Sequence, residues 1–266
     1  MEWNTPVEIN SSTWKIAPTD NILCIGSCFA DNIGRKFEEA LFSITCNPYG
    51  VMYNPISILH SLTRWLTDTT VLPDVVILTL GTNHVYRLKR TGEIVDNCQK
   101  QPQNWFQEEE LSVDDCAKAL EEAIQQVRNR NENAKVVLTV SPIRYQKYGF
   151  HGSQLSKATL LLATHELVKA GVADYFPAYE IMNDALRDYR FYAEDMLHPP
   201  PQAVNYIWEA FSKAYFSAET HDYLREWQPI KAALNHRPFD AESDAYKAFR
   251  AKAEQQKQTF LKKWKG

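Results

Sequence analysis

The chain has 266 residues, of which 44% are hydrophobic and 23% are charged, and its formal net charge at pH 7 is −4. This composition is typical of a folded protein with a sizeable core, and the slightly negative charge argues against nucleic acid or anionic lipid as a partner. The five cysteines are spaced irregularly, and their spacing fits neither a disulfide framework nor a zinc site. No glycine-rich phosphate loop is present. We therefore expect no metal and no cofactor.

The N-terminal segment, residues 1–21, has neither the basic nor the apolar region of a secretory signal. The apolar run VVILTL at 75–80 is much shorter than the about 20 residues that span a bilayer, and it is typical of a buried strand. These features favour a cytoplasmic protein without a membrane partner. They leave the oligomeric state open.

Short β-branched runs alternate with helical patterns along most of the chain. The runs that predict buried parallel strands are 21–26, 44–50, 74–81 and 134–142, with a fifth strand expected within 173–182. The patterns that predict helices are 29–42, 55–66, 112–131 and 153–171. This alternation predicts βαβ units, and hence a three-layer α/β/α sandwich around a parallel sheet of about five strands.

The character of the sequence changes near residue 218. The remaining residues are polar and amphipathic, and Pro229 and Pro238 interrupt them. Tyr246, Phe249 and Ala253 recur at helical spacing. We expect an α/β domain over 1–217 and a C-terminal helical extension over 218–266 that packs on it or on a partner.

In open parallel sheets, ligands bind beyond the carboxyl ends of the strands. We call the residues that directly follow a strand its strand exit. The predicted strand exits are Gly26-Ser27-Cys28, Asn47-Pro48-Tyr49-Gly50, Gly81-Thr82-Asn83-His84 and Ser141-Pro142-Ile143-Arg144. Functional residues are therefore expected at these four strand exits.

The first strand exit carries a recognisable motif. Residues 26–30 read GSCFA, and they are followed by GTNHVYR at 81–87, TVSPIRY at 139–145 and DYRFYAEDMLHP at 188–199. Together these segments resemble the GSCFA family, which belongs to the SGNH (GDSL-like) hydrolase superfamily. The resemblance extends over about residues 8–217 and excludes the polar tail.

The resemblance implies an SGNH hydrolase (flavodoxin-like) fold and an acyl-transfer site. In such a site a nucleophile follows the first strand, a glycine N–H and an asparagine side chain come from the next two strand exits, and a late Asp-x-x-His supplies the base. The corresponding residues here are Gly50, Asn83, Asp195 and His198. Aligned on Gly-Asp-Ser, the motif places Cys28 at the position of the nucleophilic serine and Ser27 at that of the aspartate.

The chemistry of acyl transfer explains why each of these residue types is suited to its role. The Asp195 carboxylate, three residues before His198, can accept the imidazole Nδ1–H and leave Nε2 free as a base. Gly50 can expose its N–H and Asn83 can donate from its amide to a developing oxyanion. His84, beside Asn83, could touch the substrate.

Two candidates compete for the role of nucleophile. Cys28 begins a predicted helix, whose N-terminus stabilises a thiolate, and it is the favoured one. In the alternative, Ser27 attacks and Cys28 packs inward as a small apolar residue. A thioester intermediate would suit transfer to an acceptor as well as transfer to water.

The sequence thus predicts an acyl-ester hydrolase or acyltransferase that acts on a small-molecule or glycan ester. A competing interpretation is a non-catalytic ligand-binding or scaffold module, since the usual Gly-Asp-Ser serine is missing. Taken singly, each site residue also has a plain structural interpretation. Gly50 and Asn83 are common turn residues, and His198 precedes three prolines in what could be an ordinary loop.

Overall fold

A five-stranded parallel sheet forms the centre of the protein in the computed structural model, which describes residues 5–266. Its strands are β1 (Asn21–Gly26), β2 (Ser43–Cys46), β3 (Val75–Leu80), β7 (Lys135–Val140) and β8 (Asp174–Tyr175). They lie in the order β2-β1-β3-β7-β8, and every neighbouring pair is parallel. The predicted five-stranded parallel sheet is therefore confirmed.

Helices cover both faces of this sheet. They are α1 (Cys28–Glu39), α2 (Pro55–Asp68), α3 (Val113–Arg130), α4 (Gly149–Lys169), the single turn α5 (Ala178–Glu180), α6 (Pro201–Tyr215), α7 (Ala218–Leu234) and α8 (Asp244–Lys265). Alternate side chains of β1 point to opposite faces: Ile22 belongs to the core with α1 and α6, and Leu23 to the core with α2, α3 and α4. The three-layer α/β/α sandwich is confirmed.

Side-chain caps fix where the site-forming helices begin. Ser27 caps α1 and Asn54 caps α2, each accepting a bond from a first-turn N–H. Ser112 and Asp115 form a reciprocal capping box at the start of α3, as their spacing predicts.

Two predicted strands are shorter than expected. β2 ends at Cys46 because Asn47 adopts a left-handed conformation, with φ 42°, and turns the chain. β8 is limited to Asp174–Tyr175, since Pro177 lacks an N–H and α5 begins directly after it.

A small antiparallel sheet was not predicted from the sequence. It contains β4 (His84–Leu88), β5 (Ile94–Val95) and β6 (Phe106–Glu110), in the order β5-β4-β6. It begins at the β3 exit, so the third candidate segment runs into a strand instead of an open loop.

The C-terminal helices pack against the end of α1. Tyr223 of α7 is fully buried, and its Oη donates a 2.8 Å hydrogen bond to the carbonyl oxygen of Ala40. Trp227 Nε1 donates a 2.8 Å bond to the carbonyl oxygen of Glu39. The predicted helical extension is thus present and is attached to the last turn of α1.

Candidate functional site

Ser27 faces the sheet. Its side chain is fully buried, and its Oγ accepts a 3.2 Å bond from the Phe29 N–H. The same oxygen lies 3.2 Å from Thr79 Oγ1. As the N-cap of α1, Ser27 therefore already has partners for its hydroxyl.

Cys28 is the first residue of α1 and is partly exposed. Its Sγ lies 3.5 Å from Tyr53 Oη. The N–H groups of the first helical turn have no intrahelical acceptors, and the helix dipole adds partial positive charge at this end. The sulfur thus lies where a negative charge is stabilised.

Asp195 and His198 form a close pair. His198 Nδ1 lies 2.6 Å from Asp195 Oδ2, while Asp195 Oδ1 accepts bonds from the N–H groups of Leu197, at 2.8 Å, and His198, at 3.0 Å. The two backbone bonds, together with the imidazole, lower the pKa of Asp195 to about 2. Because the carboxylate is ionised at neutral pH, Nδ1 carries the proton and Nε2 is left as a base.

The turn that carries this pair is tied to the β7 exit. The Arg144 N–H donates a 3.1 Å bond to the Leu197 carbonyl, and Arg144 Nη1 donates a 3.1 Å bond to the Met196 carbonyl. The next residue, Tyr145, packs edge-to-face on Tyr53, with ring centroids 5.9 Å apart. Arg144 and Tyr145 thus connect the acid–base turn to the tyrosine beside the cysteine.

The two predicted oxyanion donors already have partners within the protein. The Gly50 N–H donates a 2.8 Å bond to the Asn47 carbonyl and closes a turn, in which Gly50 has φ 92°. Asn83 is buried, and its Nδ2 donates a 2.8 Å bond to the Leu111 carbonyl. Asn83 Oδ1 is buried without a hydrogen-bond partner.

His84 belongs to the small sheet. Its ring stacks on Tyr148, with centroids 3.6 Å apart and an interplanar angle of 5°. Its Nδ1 lies 3.5 Å from Glu108 Oε1, and burial lowers the pKa of the imidazole despite the neighbouring carboxylates. His84 is therefore held between the Tyr148 ring and the acidic side chains of the small sheet.

Lys157 of α4 is a buried amine. Its Nζ donates 2.7 Å and 2.8 Å bonds to the carbonyls of Gly81 and Ser141, and so joins the β3 and β7 exits. Burial lowers its pKa to about 7. The sequence pattern indicates that Lys157 is buried, because it lies on the same helical stripe of α4 as Leu160 and Ser153, but it does not indicate the role of the amine.

A polar and aromatic cleft of about 490 Å³ adjoins the β7 exit. Its lining includes Arg144, Gln154, Tyr179, Asn183, Arg187 and Tyr192. The Arg144 guanidinium stacks on the rings of Phe150, at 4.0 Å, and Tyr192, at 5.3 Å. Arg144 therefore lines the cleft and also donates to the turn that carries His198.

Among residues 5–266, no group of three or more His, Cys, Asp and Glu side chains is arranged to hold a metal ion. In the same range, no helix combines the length and apolar character of a membrane span.

The strand order and the helical layers are those of an SGNH-like fold. A catalytic mutant of an acetylxylan esterase from Geobacillus stearothermophilus superposes with a TM-score of 0.50 at 13% identity, covering 76% of this chain and 97% of that chain. A member of the lipolytic G-D-S-L family from Veillonella parvula gives 0.48 at 13% identity, covering 71% and 94%. At 13% identity and a TM-score of 0.50, the likeness to the acetylxylan esterase shows a common fold.

The chain belongs to the GSCFA family. The model of that family matches residues 21–73 and 70–211, and that of the GSCFA domain protein, C-terminal domain, matches residues 227–265. No curated protein matches the sequence.

Proposed function

We propose that the protein is an acyl-group enzyme, either an ester hydrolase or an acyltransferase, in which Cys28 is the nucleophile. The observation that carries this proposal is the Asp195–His198 pair, whose 2.6 Å contact leaves Nε2 of the imidazole available as a base. Cys28 is favoured over Ser27 because its sulfur is partly exposed, whereas the Ser27 hydroxyl is buried in the helix cap.

The proposed reaction conserves atoms and protons in two half-reactions. In the first, His198 Nε2 takes the Cys28 proton, the sulfur attacks the ester carbonyl, and the C–O bond breaks as the proton passes to the leaving alkoxide. In the second, water or an alcohol loses a proton to His198 and attacks the thioester carbonyl, the C–S bond breaks, and His198 returns the proton to Cys28 Sγ. Asp195 keeps the imidazole oriented and stabilises its cation.

Gly50 and Asn83 remain proposed oxyanion donors. Asn83 Nδ2 has a second hydrogen besides the one it donates to Leu111, and this hydrogen could serve an oxyanion. For Gly50, the turn that closes on Asn47 would have to open. His84 is proposed to support the site through Tyr148 and not to contact the substrate.

An acylated carbohydrate is the proposed substrate class. The cleft beside the β7 exit combines the Tyr179 and Tyr192 rings with the amides of Gln154 and Asn183, so it offers both stacking faces and hydroxyl partners. The acetylxylan esterase with which the chain shares its fold bears an activity of this class in its name. No cofactor is needed for such a reaction.

The test is acylation of the purified protein by p-nitrophenyl acetate, followed as release of p-nitrophenol. We expect Cys28→Ala to abolish the release, because loss of a nucleophile removes orders of magnitude in rate, and Ser27→Ala to retain most of it. Equal rates in Cys28→Ala and the wild type would exclude Cys28 as the nucleophile. No release by the wild type, together with binding of acetylated xylo-oligosaccharide, would favour the non-catalytic ligand-binding module.

A further inference from the structure

The site has an unassigned hydroxyl next to the cysteine. Tyr53 follows the Gly50 turn in the chain, is 39% exposed, and places its Oη 3.5 Å from Cys28 Sγ. The donors of Gly50 and Asn83 are meanwhile bonded to Asn47 and Leu111. As the chain is folded, Tyr53 is therefore a side-chain donor directly beside the sulfur.

The position of Tyr53 is fixed from two sides. Its carbonyl oxygen accepts 2.8 Å bonds from the N–H groups of both Gly81 and Thr82, which anchors its backbone to the β3 exit. Its ring meets the Tyr145 ring at 90°. A donor held in this way needs little reorganisation when charge develops, and that property makes an oxyanion donor effective.

We propose that the Tyr53 hydroxyl donates a hydrogen bond to the oxyanion that forms when Cys28 attacks an acyl group. This inference rests on the proposed function. A hydroxyl 3.5 Å from Sγ is within hydrogen-bond reach of the oxygen of an acyl group bonded to that sulfur. The Tyr53 proton stays on the phenol throughout, while the thiol proton goes to His198 and then to the leaving group.

The chemistry of Tyr53 suits a donor and not a base. Burial, followed by its hydrogen bond to Cys28, raises the pKa of the phenol above its usual value of 10. The hydroxyl therefore stays protonated at neutral pH. The backbone N–H of Cys28, in the first turn of α1, would be a second donor to the same oxygen.

The experiment compares two reagents that both react with the thiol. Attack on p-nitrophenyl acetate passes through an oxyanion, whereas alkylation by iodoacetamide displaces iodide and forms none. Both rates are measured on the full chain for wild type, Tyr53→Phe and the control Tyr49→Phe. Tyr49 lies in the same segment, and its hydroxyl bonds Asp68. Alkylation is followed at the Cys28 peptide by mass spectrometry, because other cysteines are also partly exposed.

We expect Tyr53→Phe to slow acylation by about 10²-fold, the usual effect of losing one oxyanion donor. We also expect alkylation to stay within about threefold of wild type, a change too small to reflect loss of such a donor, and Tyr49→Phe to change neither rate. Equal losses in both reactions would show that Tyr53 acts on the thiol itself, and unchanged acylation would show that it donates nothing; either result overturns the inference while the proposed function stands. If Cys28→Ala is acylated like wild type, the proposed function fails as well.

Discussion

Replacing Lys157 with methionine tests whether the buried amine of Lys157 is uncharged while it donates hydrogen bonds to the β3 and β7 exits. Lys157 is 1% exposed, and its Nζ donates to the carbonyls of Gly81 and Ser141. Two acceptors match the two N–H groups of a neutral amine. Lys157→Met keeps a side chain of similar length and removes both donors, so the change isolates the amine.

The magnitude follows from the shift in pKa. Burial lowers the pKa of Lys157 from 10.5 to about 7. Between these values the unfolded chain holds a proton that the folded protein releases, so the free energy of unfolding rises with pH. At about 1.4 kcal/mol per pKa unit, the free energy of unfolding rises by about 5 kcal/mol over the whole range between the two pKa values. About 3 kcal/mol of this rise falls between about pH 6 and pH 9. The destabilisation from the buried charge is present in full below the folded-state pKa and disappears as the pH approaches 10.5.

Urea unfolding of wild type, Lys157→Met and Lys169→Met across this pH range measures the effect. Lys169 is exposed at the end of the same helix and serves as the control. We expect the difference in unfolding free energy between wild type and Lys157→Met to change by about 3 kcal/mol in favour of wild type as the pH rises. In the variant, each carbonyl that loses its donor lowers the free energy of unfolding by a further ~1–3 kcal/mol, and this loss does not depend on pH. The reasoning is refuted if the difference between wild type and Lys157→Met does not vary with pH. It is also refuted if the difference between wild type and Lys169→Met varies with pH to the same extent.

Three further changes probe the cap, the acid–base pair and the C-terminal helices. Ser27→Ala should lower the free energy of unfolding by about 0.5–2 kcal/mol, the usual cost of a lost N-cap, and a neutral result in urea would contradict its assignment as a cap. Asp195→Asn should slow p-nitrophenyl acetate turnover by about 10³-fold or more because it disturbs the His198 tautomer; an unchanged rate would remove Asp195 from the mechanism. Tyr223→Phe should cost about 1 kcal/mol in thermal unfolding through its lost bond to the Ala40 carbonyl, and an unchanged melting temperature would contradict this.

The central sheet could be predicted because its strands have a strong local signal. β3 and β7 are continuous β-branched runs buried on both faces, and the helices between them are amphipathic. The small antiparallel sheet has no such signal. β6 reads FQEEE and β5 has two residues, so neither carries a strand pattern of its own and both depend on pairing with β4.

The candidate site divides in the same way. The Asp195–His198 contact could be predicted because three residues separate its partners and the geometry is local. Tyr53 and Lys157 could not be assigned, because their roles arise from contacts with Cys28, Gly81 and Ser141, which lie far away in the chain. Proximity in space, and not residue type, makes these two side chains chemically interesting.

The three residues of the first strand exit meet different requirements. Gly26 has φ 147°, and a Cβ there would lie 2.1 Å from the Thr79 carbonyl oxygen, so folding alone accounts for glycine. Ser27 is accounted for by its cap and its contact with Thr79. Cys28 has no comparable constraint: within residues 5–266 its sulfur makes one hydrogen-bond contact, to Tyr53, at the rim of the core. Glycine and serine thus shape the turn. Cys28 is the one residue of the three whose side chain is not needed by the fold and is left free for chemistry.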